Sequence, residues 1–388
     1  MRTRRFRVAG EREAWSDSTL GGYGTLRNSL PLTRLRTLSS KKTKRRPKAV
    51  ALLSGGLDST LALRMMKDQG VEVHAVNFYT GFCVVESKRG QGRKNSKGEP
   101  YRNEALRAAA DVGVEVELVD ISKEYMDMVV SPRFGYGANA NPCIDCRIFM
   151  LKKAREIMEE VEADFIVTGE VLGQRPMSQR RHPMQVIERA SGLEGKIVRP
   201  LTARSCAPSD AEKEALLDRE KLGKITGRSR KPQMQLAREL GIEDYPSPAG
   251  GCCYLADESY ARKFYDYLDH LDERHLTARD AIVLATGRHF RIGNRTKVIV
   301  GRDEEENRVL ETHIGSETRL FARDFRGPLT LLQGETNEGN LRIAASLAAR
   351  YGDGKRESQV RIGLETADSE RTLTIAPCFD EDLDRWRI

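Results

Sequence analysis

The chain of 388 residues lacks most of the features that would settle its class at a glance. No apolar run approaches the about 18 residues of a membrane-spanning helix, so no transmembrane segment is expected. There is no Gly-x-x-x-x-Gly-Lys-Ser/Thr and no Gly-x-Gly-x-x-Gly, which sets aside a Walker loop and a dinucleotide fingerprint. A secretory signal is missing and the seven cysteines are an odd number. A disulfide framework is therefore not expected, and metal or sulfur chemistry in a reducing cytoplasm is. No internal repeat stands out. The length suffices for two or three domains, and 39% hydrophobic residues is ordinary for a soluble protein.

Charge is unevenly placed. Residues 1–48 hold 14 Lys and Arg against three acidic residues, a net +11, which leaves −3 for the rest of a chain whose total is +8. A basic leader suits nucleic acid, whose binding is dominated by phosphate contacts. Residues 1–47 carry no sustained apolar periodicity and are expected to be a disordered extension. Their Arg and Ser content resembles an organellar transit peptide, against which Glu11, Glu13 and Asp17 weigh. A solvated tail or a start codon set too far upstream accounts for them equally.

The rest is organised around residues 49–60. Residues 49–53 have no polar side chain, as in a strand buried on both faces of a parallel sheet, and residues 60–67 are helix formers. Between them lies Ser54-Gly55-Gly56-Leu57-Asp58-Ser59. The glycines allow a tight turn and close approach of a ligand, leaving N–H groups at a helix N-terminus as an anion site. Ser54 and Ser59 can donate to phosphate oxygens. A lone carboxylate beside a polyphosphate repels it, so Asp58 is read as a magnesium ligand. The competing reading is a turn whose glycines serve only packing.

From residue 48 apolar strands alternate with helices. Strands are expected at 71–78, 114–119, 164–168 and 197–201, and helices at 103–112, 122–130 and 146–161. Such alternation implies an α/β, Rossmann-like parallel sheet of about five strands, with ligands beyond the strands' carboxyl ends. The charged insertion 86–100 is expected to be a mobile loop over the site, and the loop 169–179 to lie beside the nucleotide. After a charged helix come the basic turn 224–231, a short helix to residue 240, an irregular loop 245–253 rich in Pro and Gly, and a helix over 257–271. The first folded domain is placed at 48–274. Residues 278–388 are expected to form a separate α+β domain, with β-leaning segments at 282–291, 296–301, 312–322, 328–333, 359–365 and 371–376 and a helix at 340–351.

Cys143-Ile144-Asp145-Cys146 stands at the mouth of a helix, where a thiol's pKa is lowered and it becomes a good nucleophile and metal ligand. Cys252 and Cys253 lie in a Gly-rich loop that core packing does not explain. A structural zinc, which needs four ligands and would have to enlist an adjacent cysteine, Cys206 or His182, competes with a persulfide relay and with an iron–sulfur cluster on three cysteines; the cluster is preferred. His74 is read as a core histidine, His182 as solvated, and Cys83 and Cys378 as spectators.

These motifs carry a resemblance. The pyrophosphate (PP) loop 54–59 looks like that of the N-type ATP pyrophosphatases, which split ATP to AMP and pyrophosphate while adenylating a substrate oxygen. Together with Thr168-Gly169-Glu170-Val171-Leu172-Gly173-Gln174, Ser178-Gln179 and Arg199-Pro200-Leu201, it resembles the tRNA 4-thiouridine synthetases. Asn141-Pro142-Cys143-x-x-Cys146 resembles the tRNA 2-thiouridylases, in which the second cysteine is catalytic, and residues 227–231 and 246–252 are similar to a bacterial branch of these thiolases. The resemblance implies that Leu52, Ser54, Gly55, Gly56, Asp58, Ser59, Asn77, Phe78, Arg147, Gly169 and Gln179 bind nucleotide. It implies that Cys143, Cys146 and Cys252 bear a 4Fe-4S cluster or sulfur, with Cys146, Cys252 and Asp58 catalytic. Asn77 and Phe78 would meet the adenine. No N-terminal RNA-binding module or rhodanese domain of that family is recognisable. Residues 298–307 resemble the start of the RNA-binding domain of ribosome-quality-control proteins, which moves RNA docking to the carboxyl end.

The reading is an ATP-dependent tRNA sulfurtransferase using ATP, Mg2+ and a 4Fe-4S cluster, with tRNA and a sulfur donor (sulfide or a cysteine desulfurase) as partners. No membrane partner is expected, and a homodimer is one open assembly state. The alternatives are an enzyme adenylating a small carboxylate or amide with a structural metal, and a non-catalytic RNA-binding protein. A basic turn at 224–231 next to the cysteine loop is where a tRNA backbone has to pass.

Overall fold

The computed structural model describes residues 45–95, 98–246, 253–366 and 369–388, together with the backbone of residues 5–8. After β1 (Arg5–Val8) come β2 (Lys48–Leu52), α1 (Leu57–Asp68), β3 (Glu72–Tyr79), α2 (Val84–Gly90), α3 (Glu104–Val112) and β4 (Val116–Asp120). The chain continues through α4 (Ser122–Val130), α5 (Cys143–Glu160), β5 (Phe165–Val167), α6 (Arg181–Ser191) and β6 (Ile197–Val198). Strands β4-β3-β2-β5-β6 lie side by side and parallel, the five-stranded α/β sheet expected. The order turns back at β2, which has β3 on one side and β5 on the other. This switch point opens a crevice beyond the carboxyl end of β2, where the glycine turn sits.

Burial on both faces explains the apolar run. Val50, Val76, Val119 and Ile166 point into a core shared with Met126, Leu151, Tyr260 and Phe264 from α4, α5 and a later helix. Ala49, Ala51, Ala75 and Val167 face the opposite core, under α1 and α3 with Leu63, Met66, Ala108 and Val112. A polar side chain at residues 49–51 of β2 would lose its water without gaining a partner.

Two expectations for this half need correction. Within the leader expected to lack structure, Arg5–Val8 adds an antiparallel strand to β4, with Arg5 opposite Val119 and Val8 opposite Val116. That pairing covers an edge strand whose backbone groups would otherwise be open. Residues 9–44 lie outside the described residues. Of the insertion 86–100, expected to be a mobile loop, residues 86–90 form the end of α2, and Arg93 beyond it holds Asp303 of the distal domain through two bonds of 3.0 and 2.9 Å.

The chain then passes through α7 (Asp210–Lys213), α8 (Lys231–Glu239), α9 (Glu258–Asp269) and α10 (Ala278–Ala285) to a second, antiparallel sheet. Its elements are β7 (Arg288–Gly293), β8 (Thr296–Val300), α11 (Glu304–Thr312), β9 (Thr318–Ala322), β10 (Thr330–Gln333), α12 (Glu338–Arg350), β11 (Val360–Glu365), β12 (Glu370–Ile375) and α13 (Asp380–Trp386). The strand order is β12-β11-β9-β10-β8-β7, and α12 packs Leu341, Ala344, Ala345 and Ala348 onto one face. Residues 282–291, read as β-leaning, begin with the last turns of α10. Thr277 starts that helix with a capping box, its hydroxyl accepting from Asp280 N–H while the Asp280 carboxylate accepts from Thr277 N–H. Thr312 likewise ends α11 and does not open a strand.

Helix α9 fastens this sheet to the first domain. Arg291 of β7 reaches Asp266 through bonds of 3.0 and 2.6 Å, and Lys263 Nζ donates to the Gly287 carbonyl at 3.0 Å. Lys297 of β8 lies against the same helix, 4% exposed, with its ammonium 5.7 Å from the Tyr267 ring centre. Burial pushes it down to about 7, with Asp266 pulling the other way. The unfolded chain, whose lysine titrates near about 10.4, thus binds a proton that the folded chain refuses as pH falls from there toward 7. Stability drops over that interval and is restored as pH rises. Lys297→Met is expected to raise thermal stability at neutral pH and to flatten its dependence between pH 7 and about 10, as calorimetry at several pH values will read.

Candidate active site

The glycine turn is shaped by two close backbone approaches. Gly55 has φ +75°, and a Cβ on it would lie 2.1 Å from the carbonyl carbon of Glu104 at the start of α3. Gly169, in the loop after β5, would place a Cβ 2.6 Å from the amide nitrogen of Ser59. Only glycine lets these three segments meet. Around the turn, Ser59 Oγ donates to the Gly56 carbonyl at 2.9 Å and lies 3.2 Å from Ser54 Oγ. Arg107 Nη2 donates to the Gly55 carbonyl at 2.9 Å. The Gly55 and Gly56 carbonyls are thereby satisfied by protein, and the first-turn N–H groups of α1 have no intrahelical acceptor, which suits this helix start to an anion.

Asp58 is held at one oxygen only. Gln174 Nε2 donates to Asp58 Oδ2 at 2.7 Å, and Gln233 Nε2 of α8 donates in turn to Gln174 Oε1 at 3.0 Å. Asp58 Oδ1 is buried with no hydrogen-bond partner. A carboxylate with one oxygen fixed and the other unsatisfied, beside an anion-binding turn, fits a hard divalent cation such as magnesium. Gln179 has its backbone tied to Gly173 and Arg175, while its Oε1 is buried and likewise without a partner.

Of the other expected nucleotide residues, Leu52 ends β2 and Phe78 lies half-buried near the end of β3. Asn77 spends its amide on the Leu53 carbonyl at 2.8 Å, bracing the strand end from which the turn departs.

Glu170, which sequence reading passed over, is the electrostatic centre. It is 2% exposed, with Arg199 Nε 3.0 Å from one oxygen and Arg147 Nε 3.3 Å from the other. Burial would push its carboxyl up, but Arg147 and Arg199 outweigh it and hold the group below the usual carboxylate range. Arg199 also reaches Glu188 of α6 at 2.5 Å. The signal that could have found it is a carboxylate directly after a buried strand, flanked in the chain by no cation that could neutralise it.

Arg147 belongs to α5, which starts at Cys143, three residues earlier than expected, so that both Cys143 and Cys146 sit in its first turn. The segment before it is pinned to the second cysteine segment. Ala140 N–H donates to the Leu255 carbonyl at 3.0 Å and Asn139 Nδ2 to the Ala256 carbonyl at 2.8 Å. Gly137 packs on Met177 of the nucleotide loop, where a Cβ would overlap the sulfur. Cys83 is no spectator: its backbone bridges that of Cys253, and Tyr254 N–H donates to the Phe82 carbonyl at 3.0 Å. Cys252 lies outside the described residues, and among the described residues no group of three His, Cys, Asp or Glu side chains is placed to hold a metal.

Elsewhere, burial pushes the Cys206 thiol up and the Cys378 thiol up to about 11. His74 is not a plain core residue, since its Nε2 lies 2.7 Å from Glu117. His182 is exposed at the start of α6.

Glu170→Gln leaves the buried Arg199 and the half-buried Arg147 without their shared anion and is expected to cost about 3 kcal/mol, read by denaturant titration at pH 7. Because the folded carboxyl titrates below its unfolded value of about 4.3, the wild-type advantage is present above that pH. It should shrink as pH falls toward the folded pKa, where protonated Glu170 resembles the glutamine. Gly169→Ala forces a carbon onto the Ser59 amide and is expected to destabilise by about 1–3 kcal/mol, with nucleotide binding weakened before the fold is lost.

Residues 45–207 match the family model described as thiamine biosynthesis protein (ThiI), and residues 287–387 that of the NFACT protein RNA binding domain. The chain is 33% identical over 154 residues to the probable tRNA sulfurtransferase of Thermococcus kodakarensis, covering 40% of this chain and 36% of that protein. It is 31% identical over 130 residues to the tRNA-specific 2-thiouridylase MnmA of Petrotoga mobilis, covering 32% and 35%. The chain thus spans about a third of the length of these relatives. A crystal structure of a 4-thiouridine synthetase–RNA complex with bound ATP overlaps 50% of this chain and 52% of that one, at 22% identity and a TM-score of 0.29. Among the described residues no helix is long and apolar enough to cross a membrane. Within one chain, residues 45–207 are thus similar to the ThiI model and residues 287–387 to the model of the NFACT protein RNA binding domain.

Proposed function

We propose that the protein is an ATP-dependent tRNA sulfurtransferase that adenylates a uridine carbonyl oxygen and replaces it with sulfur in the cytoplasm. One observation carries the reading. The loop after β5 touches the anion-binding turn through Gly169 and Gln174 and the cysteine-bearing helix through Glu170 and Arg147. A site for ATP and a site for sulfur are thereby joined by one segment, and an RNA-binding domain is fastened to the same body through α9.

In this reading the N–H groups of the turn and the hydroxyls of Ser54 and Ser59 hold the polyphosphate, and Asn77 braces the strand end beneath it. Magnesium on Asp58 would neutralise phosphate charge. The uridine oxygen attacks the α-phosphorus and pyrophosphate leaves. A sulfur nucleophile then attacks the activated ring carbon, and the former carbonyl oxygen departs with AMP. The first step needs positioning and charge stabilisation more than covalent chemistry from the protein. Cys143, Cys146 and Cys252 are the groups proposed to present sulfur: a cysteine desulfurase would supply it as a persulfide on Cys146 at the helix N-terminus, Cys143 or Cys252 closing a disulfide with Cys146 as the thionucleoside leaves, whereas free sulfide would be presented unoxidised by a cluster on the three cysteines. The basic turn 224–231 is proposed to meet the tRNA backbone.

Protein purified without oxygen, given ATP, magnesium, sulfide and unmodified tRNA, is expected to form 4-thiouridine or 2-thiouridine, detected by nucleoside mass spectrometry. Asp58→Ala and Cys146→Ser should each abolish it, and iron and acid-labile sulfide in the same sample decide whether a cluster carries the sulfur. AMP formed with a small carboxylate or amide, without thionucleoside, contradicts the proposal in favour of small-molecule adenylation. RNA binding that ignores ATP and Asp58→Ala, again without thionucleoside, contradicts it in favour of a non-catalytic binder.

A further inference from the structure

The basic turn 224–231 is fastened to the nucleotide loop by backbone. Leu172 and Thr226 form a bridge, and Gly227 N–H donates to the Leu172 carbonyl at 2.7 Å. Gly173 and Gly227, with φ of +81° and +85°, come so close that a Cβ on Gly173 would lie 3.4 Å from the Gly227 nitrogen. The turn leads directly into α8, whose Arg230 carbonyl accepts from Met234 N–H at 3.0 Å. That helix packs on α1 through a core of Leu57, Leu61, Val171, Leu201 and Ala237. No slack separates the basic turn from the helix that begins at the phosphate site.

A polar chain crosses this apolar contact. Gln233 of α8 is fully buried, which costs free energy unless its amide is used. Its Nε2 donates to Gln174 Oε1 at 3.0 Å, and Gln174 Nε2 donates to Asp58 Oδ2 at 2.7 Å. The chain ends on a carboxylate whose second oxygen is unsatisfied. At its other end Gln233 Oε1 is also buried and unpartnered. Two fixed amides in series, ending on one oxygen of a carboxylate and leaving the other bare, are the arrangement that outer-shell residues give a metal ligand.

We propose that Gln233 and Gln174 are positioning residues that orient Asp58 for its cation, and that an RNA backbone seated on the basic turn 224–231 acts through them to tighten cation binding at the phosphate site. The inference rests on the ATP-dependent reading above. It makes the enzyme spend ATP chiefly when RNA is bound. By reciprocity, the cation–ATP complex tightens RNA binding by the same factor.

The test is direct binding. Mg2+ is titrated against the full-length protein in the presence of ATP, with and without an unmodified tRNA transcript, and nucleotide binding is followed by calorimetry. In the wild type the transcript is expected to lower the Mg2+ midpoint. Gln233→Leu, which keeps the volume and removes the amide, should raise the midpoint roughly ten-fold and erase the effect of tRNA, while its affinity for tRNA without ATP stays at the wild-type value. Gln174→Met should do the same and serves if Gln233→Leu does not fold. A midpoint and a tRNA effect unchanged in either folded variant overturn the relay and leave the sulfurtransferase reading standing. Wild-type protein that binds no Mg2+–ATP overturns that reading and the relay with it. A wild-type midpoint indifferent to tRNA overturns the coupling.

Discussion

Glu170 is a carboxylate taken out of water between Arg147 and Arg199, and the arrangement of the site depends on it. A buried ion pair stabilises little by itself, because desolvation offsets attraction, but breaking one partner away is costly. That asymmetry makes Glu170 a fixed point. It holds α5 with its two cysteines on one side, the end of β6 on the other, and the loop that carries Gly169 and Gln174 in between. The glycine turn and the helix that bears Cys143 and Cys146 are therefore held through one shared loop. The close contacts of Gly55 with Glu104 and of Gly169 with Ser59 leave no room for a methyl group between the turn and its neighbours.

The sheet was readable because burial on both faces leaves a strand no choice of side chain. Residues 49–53 and 165–167 are free of polar groups where they pair, and β3 keeps Ala75 and Val76 buried at its centre although it also carries Glu72, His74 and Asn77. The glycine turn was readable for the same kind of reason, since its backbone angles and contacts admit little else. Helix α10 was missed because Ile282 and Val283 favour strands locally, and α11 because its charged first turn hid a stripe that buries only Glu306 and Leu310. The winning signals were caps, Thr277 with Asp280 and Asp303 with Glu306, together with burial of Ala281, Leu284 and Leu310. Helix α6 was missed although Met184, Ile187 and Ser191 fall on one face. Its charged remainder hid the stripe.

The polar interior was almost illegible. Gln174 and Gln233 are 59 positions apart, lie in a loop and a helix, and carry no periodic pattern. Glu170 and Arg199 likewise meet only because β5 and β6 pair in parallel. Sequence shows which groups can do chemistry, whereas the packing of distant segments decides which of them are held and at what charge. The cysteines show both sides. The Cys143 pair was placed at a helix mouth from sequence, but the meeting of Cys83 with Cys253 follows from a backbone bridge that no local motif announces.

The central claim is that this architecture activates a nucleobase carbonyl by adenylation at the glycine turn. The measurement that addresses it most directly uses tRNA transcribed with oxygen-18 at the uridine carbonyls, incubated with ATP, magnesium and sulfide. The AMP released is then weighed by mass spectrometry. AMP carrying one oxygen-18, in step with thionucleoside formed, is the predicted result. Unlabelled AMP, or ADP as the nucleotide product, would contradict the account.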